Sequence, residues 1–289
     1  MPARRRAFTF IELIIVTGMI GAGVILMTPG IGRSREAANR IKCASNLRQI
    51  ALGMKMYSNE QRNNALPRTK YDPDAADKPV AFTKSGDMPG PVNPFADDGP
   101  DANDVTAALF LVLRTQEITT DVFVCPSSAA ERMSLAAGKN IQFYNNFDSQ
   151  THLSYSLSNP YASKEAAERG VKWDEMMNAD FALMADMNPG GEAVTGVKFS
   201  DSGARQREAN SRNHRRDGQN VMYADAHVDW SASVFAGAQQ DNIFTFRKEA
   251  GSNAAQGENG GIAGSPVDDM DSVMLPAFDE NVKMPNPQD

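Results

Sequence analysis

Glu12 is the residue that most constrains this chain. It is the one charge within residues 8–27, a run of twenty residues that is otherwise apolar or uncharged. At 1.5 Å per residue such a run makes a helix of about 30 Å, the thickness of a bilayer's hydrocarbon core. An ionisable side chain there is costly, so a task and a partner are expected for it. A basic leader, residues 1–7 with Arg4, Arg5 and Arg6, precedes the run. Cutting between Ala7 and Phe8 places a new amine one helical turn from Glu12, in its own chain or in a neighbour. A secretory signal peptide has a shorter apolar stretch and a small-residue cleavage motif, which this run lacks. No basic residue follows until Arg33. That asymmetry predicts a single-pass inner-membrane protein, with its N-terminus cytoplasmic and its C-terminal domain periplasmic or extracellular.

Charge narrows the partners. Without the three leader arginines, the 29 basic residues fall to 26 against 36 acidic ones, a net charge of −10. Such a surface argues against nucleic acid, whose nonspecific binding rests on neutralising phosphates. Cys43 and Cys125 are the two cysteines. Outside the cytoplasm a disulfide or a pair of buried thiols is open to them, and sequence spacing does not choose.

Apolar residues recur at Ile41, Ala44, Leu47, Ile50, Ala51, Met54 and Tyr57, one face of a helix that Asn63, Asn64 and Pro67 end. The expected organisation is a leader (1–7), a membrane-spanning half-helix (8–28) and an amphipathic continuation past a kink at Pro29 (29–62). A head (63–248) and a flexible, Gly- and Asp-rich tail (249–289) follow. Within the head, 66–103 reads as a long loop, and Asp104 caps a helix over 105–115. Strands are expected at 121–125, 153–157 and 181–185, and a hairpin over 220–230 turns near Asp225 and Ala226. The fold class is α+β: a long N-terminal transmembrane helix packed on a small antiparallel sheet.

The segment from Arg6 to Val16, Arg-Ala-Phe-Thr-Phe-Ile-Glu-Leu-Ile-Ile-Val, resembles the processing signal of type IV pilins and type II secretion pseudopilins. The resemblance implies a pilin-like fold, cleavage by a prepilin peptidase between Ala7 and Phe8, N-methylation of Phe8, and an assembly role for Glu12. Pro29 falls where many pilins kink. Ala7 departs from the family's Gly before the cut. A second stretch, Arg40 to Tyr57, with Val-Cys125-Pro-Ser and the segment from His214 to Val228, resembles a large group of prepilin-like proteins of unknown role. That group closes with Gly-Gly after the His and Ala-Asp-Gly in the turn. This chain has Arg215, Arg216 and Ala226 there instead.

These readings predict a structural subunit without catalysis, metal or cofactor. Its partners are a prepilin peptidase, like subunits and the inner membrane. Small residues Gly18, Gly21, Ala22 and Gly23 allow close helix approach. Two rivals belong to other classes: an uncut anchored protein whose head binds a ligand, and a tethered metal-dependent hydrolase. The hydrolase would draw on His214, Asp225, His227 and Asp229, types that suit divalent metals but lack a ligand-motif spacing. Arg205, Arg207, Arg212, Arg215 and Arg216, interspersed with Asp201, Glu208 and Asp217, read as a solvated loop. Trp173 and Trp230 read as core anchors.

Overall fold

Thr9 and Glu12 fix where the first helix begins. The Glu12 N–H donates to the Thr9 hydroxyl at 3.3 Å, and Glu12 Oε2 accepts from the Thr9 N–H at 2.8 Å, a reciprocal capping box. A computed structural model describes residues 9–85 and 88–278 of the 289-residue chain, with backbone alone at 24–31 and 254. In it α1 (Phe10–Glu60) runs unbroken for 51 residues, about 77 Å.

No helix among the described residues is long and apolar enough to cross a membrane. The expected membrane-spanning half-helix is therefore corrected, and with it the single-pass inner-membrane placement. The described start of α1 carries Glu12 among its apolar residues, and charged side chains (Arg33, Arg35 and Glu36) follow within the same helix.

From Ala44 onward the second half of α1 behaves as its periodicity predicts, whereas Ile41, expected on the same face, is 71% exposed. Cys43, Leu47, Ile50, Ala51 and Met54 are buried against α2 (Val105–Thr115) and one face of a sheet. Each large side chain so buried contributes about 1.5–3 kcal/mol. The helices approach closely at Gly53, where a Cβ would lie 2.8 Å from Val112 Cγ1 and 2.5 Å from Ile118 Cδ1. Asp104 caps α2 through Ala107 N–H at 2.8 Å. Burial raises the Asp104 carboxyl above its ordinary range, and bonds from Thr83, Ala107 and Thr106 oppose that.

The sheet is an antiparallel meander of β1 (Tyr155–Ser158), β2 (Ala182–Asp186), β3 (Gln219–Tyr223) and β4 (Val228–Ser231). The short helix α3 (Lys164–Glu168) lies between β1 and β2 in sequence. Further on, β5 (Phe246–Arg247) and β6 (Asn259–Gly261) pair with each other, and β7 (Met274–Leu275) joins the free edge of β1. The order is β4-β3-β2-β1-β7. The face away from α1 is buried too. There Ala182, Ala185, Val221 and Met274 meet Val194 of α4 (Glu192–Thr195), Ala209 of α5 (Gly203–Ala209), Ile243 and Phe244. The α+β class with an antiparallel sheet stands; the membrane helix does not.

Two more expectations are corrected. Residues 120–123 form a 3-10 turn rather than a strand, because bonds from Val122 N–H to Thr119 O and from Val124 N–H to Asp121 O close locally while Phe123 sinks into the core. Within the expected tail, the stretch around β7 packs into the head. Val273, Met274 and Leu275 are buried at the sheet edge, and Asn188 Nδ2 donates to Met274 O at 2.9 Å. Residues 279–289 lie outside the described part.

Candidate functional site

Three segments far apart in sequence converge on the flank of α1. Glu36 and Cys43 stand about two turns apart on that helix, Asp186 ends β2, and His214 sits in a tight turn before β3. The turn is unusual backbone. His214, Arg215 and Arg216 have φ of 53°, 59° and 61°, three successive non-glycine residues in the left-handed region. Such conformations are costly for residues with a Cβ and persist only where the surroundings hold them. Gly218, which follows, leaves no room for a side chain: a Cβ would lie 2.3 Å from Ser231 O and 2.8 Å from the Trp230 ring.

The strained turn drives the His214 imidazole completely out of solvent. Its Nδ1 donates to Glu36 Oε1 at 2.6 Å, so the proton on Nδ1 is fixed by a carboxylate. Glu36 Oε2 in turn accepts from the Ser127 hydroxyl at 2.8 Å. The other ring nitrogen, Nε2, faces Asp186 Oδ2 at 3.5 Å, Cys125 Sγ at 3.5 Å and Asn220 Nδ2 at 3.4 Å. The ring packs edge-on against Trp230, whose own face carries the Arg40 guanidinium at 4.1 Å. Arg40 Nη2 also pairs with Asp217 Oδ2 at 2.8 Å, which closes the outer side of the turn.

Asp186 is wholly buried and well supplied with donors. Its Oδ2 accepts from Asn220 N–H at 2.7 Å and its Oδ1 from Asn213 Nδ2 at 3.0 Å. Burial still pushes its carboxyl upward, opposed first by His214 and then by these bonds. Beside it Cys43 and Cys125 form a disulfide that joins α1 to the segment after the 3-10 turn, with 5.3 Å between α-carbons. Both sulfurs, Asp186 and His214 present atoms within 4.8 Å of one another. A cavity of about 480 Å³ opens alongside, lined by Glu36, Ser127, Ser154, Met187, Asn213 and Arg215.

Of the residues singled out in the sequence, Ala7 and Phe8 lie outside the described part, and Glu12 satisfies its carboxylate at Thr9. The constellation His214, Asp225, His227 and Asp229 is split. His214 is buried beneath α1, while Asp225 and His227 lie on the exposed β3–β4 turn and Asp229 on the exposed side of β4; His227 Nδ1 meets Asp225 Oδ1 at 2.5 Å and the ring stacks on Tyr223. Within the arginine cluster Arg205 pairs with Glu208 and Arg207 with Asp217, Arg216 Nη1 donates to Glu208 O, and Arg212 lies 3.9 Å over the Phe278 ring. Trp173 is half-buried with its Nε1 donating to Pro67 O at 3.0 Å, and Trp230 is a half-buried platform. Sequence reasoning missed Glu36 and Asp186. Asp186 carried one signal, a carboxylate closing the apolar strand segment that begins at Phe181; Glu36 carried none.

A family model described as "Protein of unknown function (DUF1559)" matches residues 33–201, more than half of the chain. The chain belongs to this family. The DUF1559 match takes in Glu36, Cys43, Cys125 and Asp186 and ends before His214 and the β3–β4 hairpin. No curated protein and no solved structure matches the chain.

Proposed function

We propose that the chain is a pilin-like structural subunit, trimmed between Ala7 and Phe8 by a prepilin peptidase, methylated at Phe8, and assembled with like subunits through the first turns of α1. The observation that carries this reading is the exposure of Phe10, Ile11, Leu13, Ile14, Ile15, Val16, Met19 and Ile20. Phe10 is 78% exposed and Met19 63%. Four of them, 13 to 16, are consecutive and at 100° per residue point to every side of the helix. A helix apolar all round is stable only when covered all round. One groove covers one side; several parallel copies of the same helix cover all of them. Non-closing contacts of that kind propagate into a filament.

The capping box fits this role. Thr9 holds the Glu12 carboxylate on the helix's own first turn, where the helix dipole favours a negative charge. In the trimmed chain the new amine belongs to the residue just before Thr9 in sequence. DUF1559 membership brings no function with it; the processing-signal resemblance at residues 6–16 supports the peptidase step. Coexpression with a prepilin peptidase followed by N-terminal mass spectrometry is the test. A chain beginning with methylated Phe8 is expected, and an intact Met1 contradicts the reading.

A further inference from the structure

We propose that reduction of the Cys43–Cys125 disulfide turns the cluster beneath α1 into a zinc site, with Cys43 Sγ, Cys125 Sγ, His214 Nε2 and Asp186 Oδ2 as ligands. This inference is independent of filament assembly. Two thiolates, one imidazole and one carboxylate suit tetrahedral zinc. The four atoms already lie within 4.8 Å of one another, against the roughly 3.3–3.8 Å that separates ligand atoms around a tetrahedral zinc. All four residues are fully buried, so the site is closed on the protein side.

The surroundings of His214 are those of a metal ligand. A carboxylate on one ring nitrogen fixes the tautomer and aims the other nitrogen's lone pair inward, and metal-bound histidines regularly carry such a partner. Glu36 occupies that position at 2.6 Å from Nδ1, itself held by Ser127. Nε2 then points at the sulfurs and at Asp186, with its nearest donor, Asn220 Nδ2, 3.4 Å away. Glu36 is a positioning residue and touches no metal.

The chemistry balances. A dithiol reductant transfers two electrons and two protons to the Cys43–Cys125 bond, becoming a disulfide itself and leaving two thiols. Zinc binding displaces those two thiol protons, while His214 Nε2 and ionised Asp186 bind through lone pairs. The segments stay aligned without the S–S bond, because Asn46 Nδ2 donates to Val124 O at 3.0 Å and Asn39 Nδ2 to Ser127 Oγ at 3.0 Å. Breaking the bond lets the sulfurs part, and the cation replaces one crosslink with another between the same segments.

The experiment uses the full chain, oxidised or reduced anaerobically with a phosphine that is then removed, and loaded with zinc or cobalt(II). One metal per reduced chain is expected and none per oxidised chain. The cobalt form should show intense tetrahedral ligand-field bands and thiolate-to-metal charge transfer. Asp186→Asn and His214→Ala should each weaken binding at least tenfold, and Glu36→Gln 10–100-fold with the cobalt bands retained. Circular dichroism checks that each variant folds; the wild-type cobalt spectrum decides the question alone if one does not. No stoichiometric metal in the reduced chain, equal binding by the oxidised chain, or cobalt binding without thiolate charge transfer overturns the proposal and leaves the disulfide a crosslink only.

Discussion

Glu36 and His214, 178 positions apart, are joined by a 2.6 Å hydrogen bond between a carboxylate on the long helix and an imidazole in the strained turn before β3. That bond ties α1 to the turn before β3, beside the Arg40–Asp217 ion pair that joins the same two elements. Glu36→Ala should therefore destabilise the head by about 1–3 kcal/mol, since a buried imidazole N–H loses its charged acceptor. Urea unfolding measures it. Glu36→Gln, which keeps an acceptor, should cost less than Glu36→Ala.

The disulfide is a second tie between the same two parts. It closes a loop of 82 residues, for which the loop-entropy relation gives about 4–5 kcal/mol. A Cys43→Ser, Cys125→Ser double variant should unfold at correspondingly lower denaturant concentration, with its helix content unchanged before the transition. Circular dichroism during the titration reads both.

Glycine conformations without glycine leave room for improvement. Arg215 has φ 59° and Ala226 φ 75°. Replacing either with Gly relieves a Cβ in the left-handed region, offset in part by the freedom glycine gains on unfolding. Each change should raise stability by about 0.5–1 kcal/mol, seen as a higher midpoint in urea. Gly218→Ala runs the other way, into Ser231 O and Trp230.

Much of this fold is legible in residue order. Asp104 before a short apolar run gives α2 with its cap, and the spacing from Ala44 to Tyr57 gives the buried face of α1, because caps and periodicity are local properties. The alternation around Tyr155 and the turn at Asp225–Ala226 do the same for β1 and the hairpin. What escapes is what depends on partners distant in sequence. The 3-10 turn at 120–123 reads as a strand because Val122 and Val124 alternate, yet the Val122 and Val124 N–H groups bond within the turn, and only Ser154 N–H, just before β1, reaches Phe123 O. Met274 and Leu275 form a strand too short to show any period, within a segment whose Gly and Asp suggest disorder. Glu36 looks like a solvated helix residue until the turn at His214 is folded over it.

The C-terminal segment holds a buried charge cluster with a pH signature. Arg247 Nε meets Asp241 Oδ1 at 3.0 Å, its N–H meets Asp271 Oδ1 at 3.1 Å, and its Nη1 lies 3.5 Å from Asp268 Oδ2. Burial outweighs Arg247 and pushes Asp241 up to about 7; burial and the Asp241 charge raise Asp271 as well. A carboxyl raised on folding lends its stabilisation fully below its unfolded value near 4 and loses it as pH rises through about 7. The unfolding free energy of the wild type relative to Asp241→Asn should therefore fall between pH 4 and 7 and level off above. Thermal or urea denaturation across that range measures the difference.

The central claim, that the exposed start of α1 is covered by copies of itself, is tested most directly by crosslinking. Ile15→Cys places a thiol on the apolar turns, and Phe199→Cys places one on the exposed head as a control. The two native cysteines are bonded to each other and do not compete. After mild oxidation, the account predicts intersubunit dimers for the Ile15 variant, which a second cysteine at Met19 should extend into a ladder, with the Phe199 variant remaining monomeric. A monomeric Ile15 variant, or one indistinguishable from the control, contradicts it.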